Sequence, residues 1–191
     1  MLQDIMLTTK RLLIRDHKIS DLNTHHQLLT NAKTMHYLKD IMTYTLEESR
    51  ENLKISIQEI DNPERTKYFL RIEDKVTKEH IGEIGYTVIQ FTPAGKVVQL
   101  GYFSYDKFWG KGYITEAVKE LIRFAFEEND VIRIGSGCLK ENVGSEKIMQ
   151  KCGMVKEAEH HFNEWHNDRL KDRVEYRLLK EEWLNNKSQT T

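Results

Sequence analysis

The chain has 191 residues, with 29 Lys and Arg against 30 Asp and Glu, for a formal net charge of −1. That length fills one domain with a complete core, and the balanced charge gives no field for non-specific nucleic-acid binding. The two cysteines, Cys138 and Cys152, form no C-x-x-C pair, which leaves no zinc ribbon or redox motif and fits a reducing, cytoplasmic setting.

No run reaches the ~18–20 apolar residues of a membrane span. The opening Met-Leu-Gln-Asp-Ile-Met lacks the basic-then-apolar order of a signal peptide. Residues 7–15 alternate as a first strand. Ser20 or Asp21 caps a helix to about Leu29, and Thr45, followed by Glu47 and Glu48, opens a second helix to about Ile60. Residues 68–73 read as a short strand. Residues 81–91 and 97–105 are strands joined by the hairpin signal Thr92-Pro93-Ala94-Gly95. Pro63 and Pro93 both fall in expected loops.

The period then changes. Ile114, Ala117, Val118, Leu121, Ile122 and Ala125 recur at helical spacing and form one apolar stripe. Residues 131–139 are a strand with Ile132, Ile134 and Cys138 as packed positions. Asn142 caps a shorter helix that Gly153 stops. Residues 154–161 and 173–179 are the last two strands. The polar stretch after Trp183 is expected to fray, giving a domain of residues 1–184 and a tail of residues 185–191. The class is α/β, with some parallel pairing expected from the strand–helix–strand alternation in the middle of the chain.

The chemistry is expected around Trp109-Gly110-Lys111-Gly112-Tyr113-Ile114-Thr115. A strand ends there, two glycines turn the chain, and a helix begins. Backbone N–H groups at a helix start favour an anion such as a phosphate, and glycines let it approach the backbone closely. A P-loop is excluded because Lys111 precedes Gly112 and Tyr105 stands at the first glycine position; a dinucleotide fingerprint is excluded by Thr115 at its third glycine.

The segment resembles the acetyl-CoA loop of the GNAT acetyltransferases, Q/R-x-x-G-x-G/A, with Trp109 and Ile114 outside the general pattern. Its aromatic first residue is similar to the branch of ribosomal-protein N-terminal (RimJ/RimL-like) acetyltransferases. A second motif in the expected order, Asn142-Val-Gly-Ser145 through Gly153-Met154, resembles the family's N-x-x-S/A…G-F helix. The resemblance implies a single-domain fold with a mixed, mostly antiparallel twisted sheet of six to seven strands and about four helices. It implies acetyl-CoA as co-substrate, with no metal. Phe103, Ser104 and Tyr105 would hold the pantetheine arm through the backbone, residues 109–115 the diphosphate, and Asn142 and Ser145 the arm and thiol.

The resemblance further implies direct attack of an amine on the thioester, with Ser145 as hydrogen-bond donor to the leaving thiolate. Met149 stands where many members place a tyrosine acid, and Gln99 where many carry a glutamate. Glu164 is nominated as general base, acting through water. An α-amine, with a pKa of about 7.7–8, needs less help than a lysine at about 10.4. The expected acceptor is therefore a protein or peptide N-terminus. The alternatives are a small amine (polyamine, aminoglycoside or amino-acid-like) and a catalytically silent CoA-binding regulatory domain. No membrane partner is expected, and a homodimer is neither required nor excluded. His160, His161 and His166 lack zinc-protease spacing and read as surface histidines. Glu157, Glu159, Glu164, Asp168 and Asp172 read as a solvated acidic face or an entrance for a cationic amine.

Overall fold

The computed structural model describes residues 4–188; the first three residues of the opening segment and the last three of the expected tail lie outside the described residues. The order of elements is β1 (Met6–Thr8), β2 (Leu12–Asp16), α1 (Leu22–Leu29), α2 (Leu46–Gln58), β3 (Lys67–Asp74), β4 (His80–Thr92), β5 (Gly95–Ser104), α3 (Tyr113–Glu128), β6 (Val131–Leu139), α4 (Val143–Lys151), β7 (Val155–His166), β8 (Arg169–Leu179) and α5 (Lys180–Ser188). The strands join in the order β1-β2-β3-β4-β5-β6-β8-β7. The mixed α/β class is as expected, with eight strands and five α-helices among the described residues in place of six to seven and about four. No helix among the described residues is long and apolar enough to cross a membrane.

The chain divides into two compact units, Met1–Thr87 with Gly101–Leu121, and Val88–Leu100 with Ile122–Thr191. In the first, β1, β2, β3 and β4 pair antiparallel, with Leu7 opposite Ile14, Ile14 opposite Ile72 and Leu70 opposite Ile84. Leu12, Ile14, Leu70, Ile72 and Ile81 are fully buried from the strands, and Leu28, Leu29 and Leu53 from α1 and α2. Thr45 caps α2 by accepting from the Glu48 amide, while the Glu48 carboxylate accepts from the Thr45 amide, a reciprocal box that satisfies two orphan donors.

The single strand expected over residues 7–15 is a hairpin. The Thr9 hydroxyl accepts from the Leu12 amide at 2.9 Å and the Thr9 amide donates to the Leu12 carbonyl at 3.0 Å, which reverses the chain. A threonine turn of this kind leaves apolar alternation intact on both sides, so periodicity alone reads straight through it.

In the second unit, β5 and β6 pair in parallel from Lys96 opposite Val131 to Gln99 opposite Gly135, and β6, β8 and β7 pair antiparallel. Its core includes Val98, Ile122, Phe126, Val131, Ile134, Met149, Val174 and Leu178. Ile132, expected to pack, is only half-buried; Val131 and Ile134 are the buried residues on that part of β6. The last two strands continue past the expected ends into one long hairpin. A bulge with Phe162 at φ +49° shifts the register between His160 and Glu164, which breaks the alternation. Asn167 and Asp168, at φ +49° and +60°, then close a two-residue turn. Residues 185–188 of the expected tail continue α5, which is held by the Trp183 ring 5.6 Å from that of Phe126 and by Lys187 on Glu127.

Candidate active site

The glycine turn lies in the first unit. β5 ends at buried Ser104, whose carbonyl accepts from the Trp109 indole N–H at 3.0 Å and from the Thr34 hydroxyl at 3.2 Å. The ring of Trp109 remains more than half exposed. Gly110 and Gly112 take φ +71° and +78°, the left-handed region where a side chain is strained, and α3 follows at once. A Cβ at Gly110 would meet nothing within 4 Å, and at Gly112 only the Arg11 guanidinium, at 3.5 Å. The backbone between Trp109 and Tyr113 is therefore open to a bulky anion, and the first-turn amides of α3 have no intrahelical acceptor. Lys111 is exposed, whereas Ile114 is buried with the apolar stripe. Thr115 is half-buried in the first turn.

Arg11, in the β1–β2 turn, braces this segment. Its Nη1 donates to the Lys111 carbonyl at 3.0 Å, its Nε to Glu116 Oε2 at 2.7 Å, and its guanidinium lies 4.2 Å over the Tyr113 ring. Glu116 also accepts from the Thr9 hydroxyl at 2.6 Å and the Arg11 amide at 2.9 Å. Burial alone raises a carboxyl pKa, but these donors outweigh it and lower that of Glu116. On the strand before the turn, a Cβ at Gly82 would overlap the Phe103 carbonyl oxygen, so β4 carries glycine where that backbone presses closest. The Tyr105 hydroxyl donates to the Thr24 carbonyl at 3.2 Å, and burial pushes it up to about 12, so its side chain holds α1; its amide donates to the Ile81 carbonyl at 3.1 Å and its carbonyl accepts from the Phe108 amide at 3.0 Å.

The second motif lies in the other unit, at the start of α4. Asn142 Oδ1 accepts from the Ser145 amide at 3.2 Å, the N-cap expected of it. Ser145 is half-buried; nearby, the Cys138 thiol donates to the Asn142 carbonyl at 3.8 Å, and burial pushes its pKa up. Met149 is wholly buried and belongs to the core. Gly153, at φ +80°, ends the helix as expected.

Glu164 stands on β7 and accepts from Arg173 Nη1 at 2.5 Å, while Arg173 Nε donates to Glu175 at the same distance. The rest of the acidic group is largely engaged too: Glu157 with Arg133, Glu159 with Lys140 and Lys156, and Asp172 with His161 and the Phe162 amide. His160 and His161 are exposed as expected, but His166 is buried, although Trp165 and Asn167 on either side of it are exposed.

A family model described as an acetyltransferase (GNAT) domain matches residues 11–155. The chain belongs to the GNAT acetyltransferase family. It is 28% identical over 182 residues to the N-acetyltransferase YnaD of Bacillus subtilis (strain 168), described as uncharacterized, a match covering 93% of this chain and 98% of that one. Among solved structures it is similar to RimL, a ribosomal L7/L12 alpha-N-protein acetyltransferase in complex with coenzyme A, with TM-score 0.81, 18% identity, and 92% and 98% of the two chains covered. It is also similar to spermidine N-acetyltransferase from Vibrio cholerae in complex with CoA and spermine, with TM-score 0.80, 21% identity, and 93% and 100% covered. Both likenesses show the shared fold.

Two groups in this GNAT chain escaped the sequence reading. Arg11 is one, because its partners lie 100 and 105 residues away and no local pattern links them. The other is a buried polar cluster in the first unit. Arg15 binds Asp21 through both Nη atoms at 2.8 Å and reaches Glu73 at 2.6 Å; Arg71 also donates to Glu73, at 2.6 Å. Beside them lie His17, His25, His80 and Glu83, all buried. His25 Nδ1 is 2.6 Å from Glu83 Oε1 and its Nε2 is 3.1 Å from Asn52 Oδ1. Both ring nitrogens of His17 are buried without a hydrogen-bond partner. Leaving such a group unpaired costs about 1–3 kcal/mol.

Proposed function

We propose that this GNAT enzyme transfers acetyl from acetyl-CoA to the α-amine of a protein or peptide N-terminus. The observation that carries the acetyl-CoA part is the open glycine turn at Gly110 and Gly112, followed directly by α3. Its amides and the helix start neutralise the diphosphate, and the backbone of Phe103, Ser104 and Tyr105 takes the pantetheine arm. Asn142 bonds the arm and Ser145 donates to the departing thiolate. Acetyl-CoA supplies the activated acyl thioester; the amine nitrogen bonds to the acyl carbon, the C–S bond breaks, and the amine gives its proton to water. A thiol of pKa about 8.5 needs only modest stabilisation to leave, which a hydroxyl donor supplies.

The acceptor reading rests on the state of the carboxylates. Glu164 is held by Arg173, and Gln99 has no basic atom. A site with so little basic help suits an amine that is already substantially neutral near pH 7.5, as an α-amine is and a lysine is not. The engaged acidic residues on β7 and β8 also leave little free charge to attract a polycation, which sets the polyamine reading second. Release of CoA thiol with N-terminal peptides, spermidine and aminoglycosides as acceptors separates the readings. Peptide-dependent release is expected. Release with spermidine alone moves the enzyme to small amines, and CoA binding without any release makes it a regulatory domain. Glu164→Gln tests the base: an unchanged rate and pH profile removes Glu164 from the mechanism.

A further inference from the structure

The described residues contain two groups of three side chains able to converge on one metal ion. One of them, Glu159, His161 and Asp172, is on the surface, and Glu159 is already bound by Lys140 and Lys156. The other is His17, His25 and Glu83, fully buried, with one ligand atom from each residue lying within 4.8 Å of the other two. We infer that His17, His25 and Glu83 form a buried structural site for a divalent transition metal such as zinc. This goes beyond the acetyl-transfer reading and does not depend on it.

One feature of the arrangement is left unexplained by a plain hydrogen-bonded cluster, and it is His17. It is sealed from solvent, neither ring nitrogen has a hydrogen-bond partner, and each instead faces a carboxylate at 3.8 Å: Nε2 toward Glu83 Oε2 and Nδ1 toward Asp21 Oδ2. A 3.8 Å gap is too long for a hydrogen bond. Two ligand atoms each about 2.1 Å from one tetrahedral ion stand about 3.4 Å apart, so Nε2 and Oε2 need to close by only a few tenths of an ångström around zinc. On the Nδ1 side Asp21 Oδ2 stands at the same 3.8 Å, so the outer hydrogen bond of a metal-bound imidazole would need a similar closing shift there.

His25 supplies the other nitrogen. Its Nε2 faces the Asn52 amide oxygen, which accepts only, so Nε2 carries a proton. Without metal, a doubly protonated ring also donates Nδ1–H to Glu83 Oε1 at 2.6 Å. To bind an ion, Nδ1 gives up that proton and the two atoms open to the ~3.4 Å of neighbouring ligands. Two nitrogens and an oxygen with no thiolate suit zinc, and equally iron(II), nickel or copper; zinc is the redox-inert probe for the test. His80 is not part of the set, since its Nε2 bonds the Gly82 carbonyl at 3.1 Å. Arg71 also faces the cluster, but its guanidinium is bound by Glu73 and Thr24. The ligands come from the segment after β2, from α1 and from β4, so the ion would tie α1 to the sheet.

The test uses the full chain, unfolded in guanidinium with chelator and refolded with or without zinc; metal content is assayed after desalting, and thermal unfolding with zinc added back. The expected result is about one retained zinc per chain and a Tm rise of about 5–10 °C at a hundredfold excess of zinc over Kd. Cobalt in place of zinc should give the visible absorption of a four-coordinate site. His25→Gln and Glu83→Gln should each lose the metal and the Tm rise, while His161→Ala, on the surface cluster, keeps both. Wild-type protein that retains no zinc and shows no shift overturns the site and leaves a buried His25–Glu83 ion pair. Zinc lost in His161→Ala overturns it in favour of the surface cluster.

Discussion

Replacing Arg11 separates bracing of the glycine turn from its simple positive charge. Arg11→Met keeps the packing of the stem over Tyr113 but removes the bonds from Nε to Glu116 and from Nη1 to the Lys111 carbonyl. A charge-assisted bond is worth about 1.5–3 kcal/mol when buried and an exposed ion pair about 0–1. With the Arg11 and Glu116 side chains 38% and 21% exposed, the loss falls between these limits, at about 1–2 kcal/mol. If half or more of that appears as disorder of the turn in the free enzyme, CoA binding weakens about 2- to 30-fold. Arg11→Lys restores the charge but not the two-pronged reach, and is expected to recover less than half of the lost affinity. Titration of CoA by calorimetry at two salt concentrations measures both variants. Full recovery by lysine, or wild-type affinity in Arg11→Met, refutes the bracing argument.

Arg65 binds Asp16 through Nη1 and Nη2 at 3.2 and 2.6 Å, with both side chains buried. Arg65→Leu strands that carboxylate and should cost about 3–5 kcal/mol in urea unfolding, whereas the Asp16→Leu/Arg65→Leu double variant should recover most of it; a loss below about 1 kcal/mol would place the pair among surface contacts. Burial works against ionised Glu73, but Arg71 and Arg15 overcome it and hold its pKa below the usual value. Its contribution is therefore present above about pH 4.5 and lost as pH falls through the depressed folded value. Glu73→Gln should flatten that part of the stability–pH curve, and an unchanged slope counts against the pairing. Gly82→Ala drives a methyl group into the Phe103 carbonyl and should cost about 3 kcal/mol or more; a soluble variant of wild-type Tm would show that the two strands yield easily.

Much of the fold could be read from local signals because local physics dictates it. The α3 stripe from Ile114 to Ala125 is buried throughout, and the caps at Thr45 and Asn142 form as their side-chain chemistry requires. The glycine turn was legible for the same reason, since left-handed backbone before an amphipathic helix leaves its mark within a few residues. What escaped depends on tertiary context. The threonine reversal at Thr9 hid inside an unbroken alternation, the Phe162 bulge broke the alternation of a strand that in fact continues, and α5 lacks a clear apolar face but is anchored by one tryptophan. His17, His25 and Glu83 are scattered over three elements, and neither their burial nor their convergence can be seen at any one of them.

The contact of Arg11 and Thr9 with Glu116 has a temporal consequence. The two sides of this clamp are 105 residues apart, so at a synthesis rate of about 5–20 residues per second Arg11 leaves the ribosome some 5–20 s before its partner. During that interval the first hairpin can pair with β3, and α1 can find α2, without the glycine turn. The segment best suited to receive a diphosphate is thus among the late parts of the first unit to acquire its order, and a nascent chain paused before α3 would hold a formed scaffold that has not yet gained its anion-binding turn.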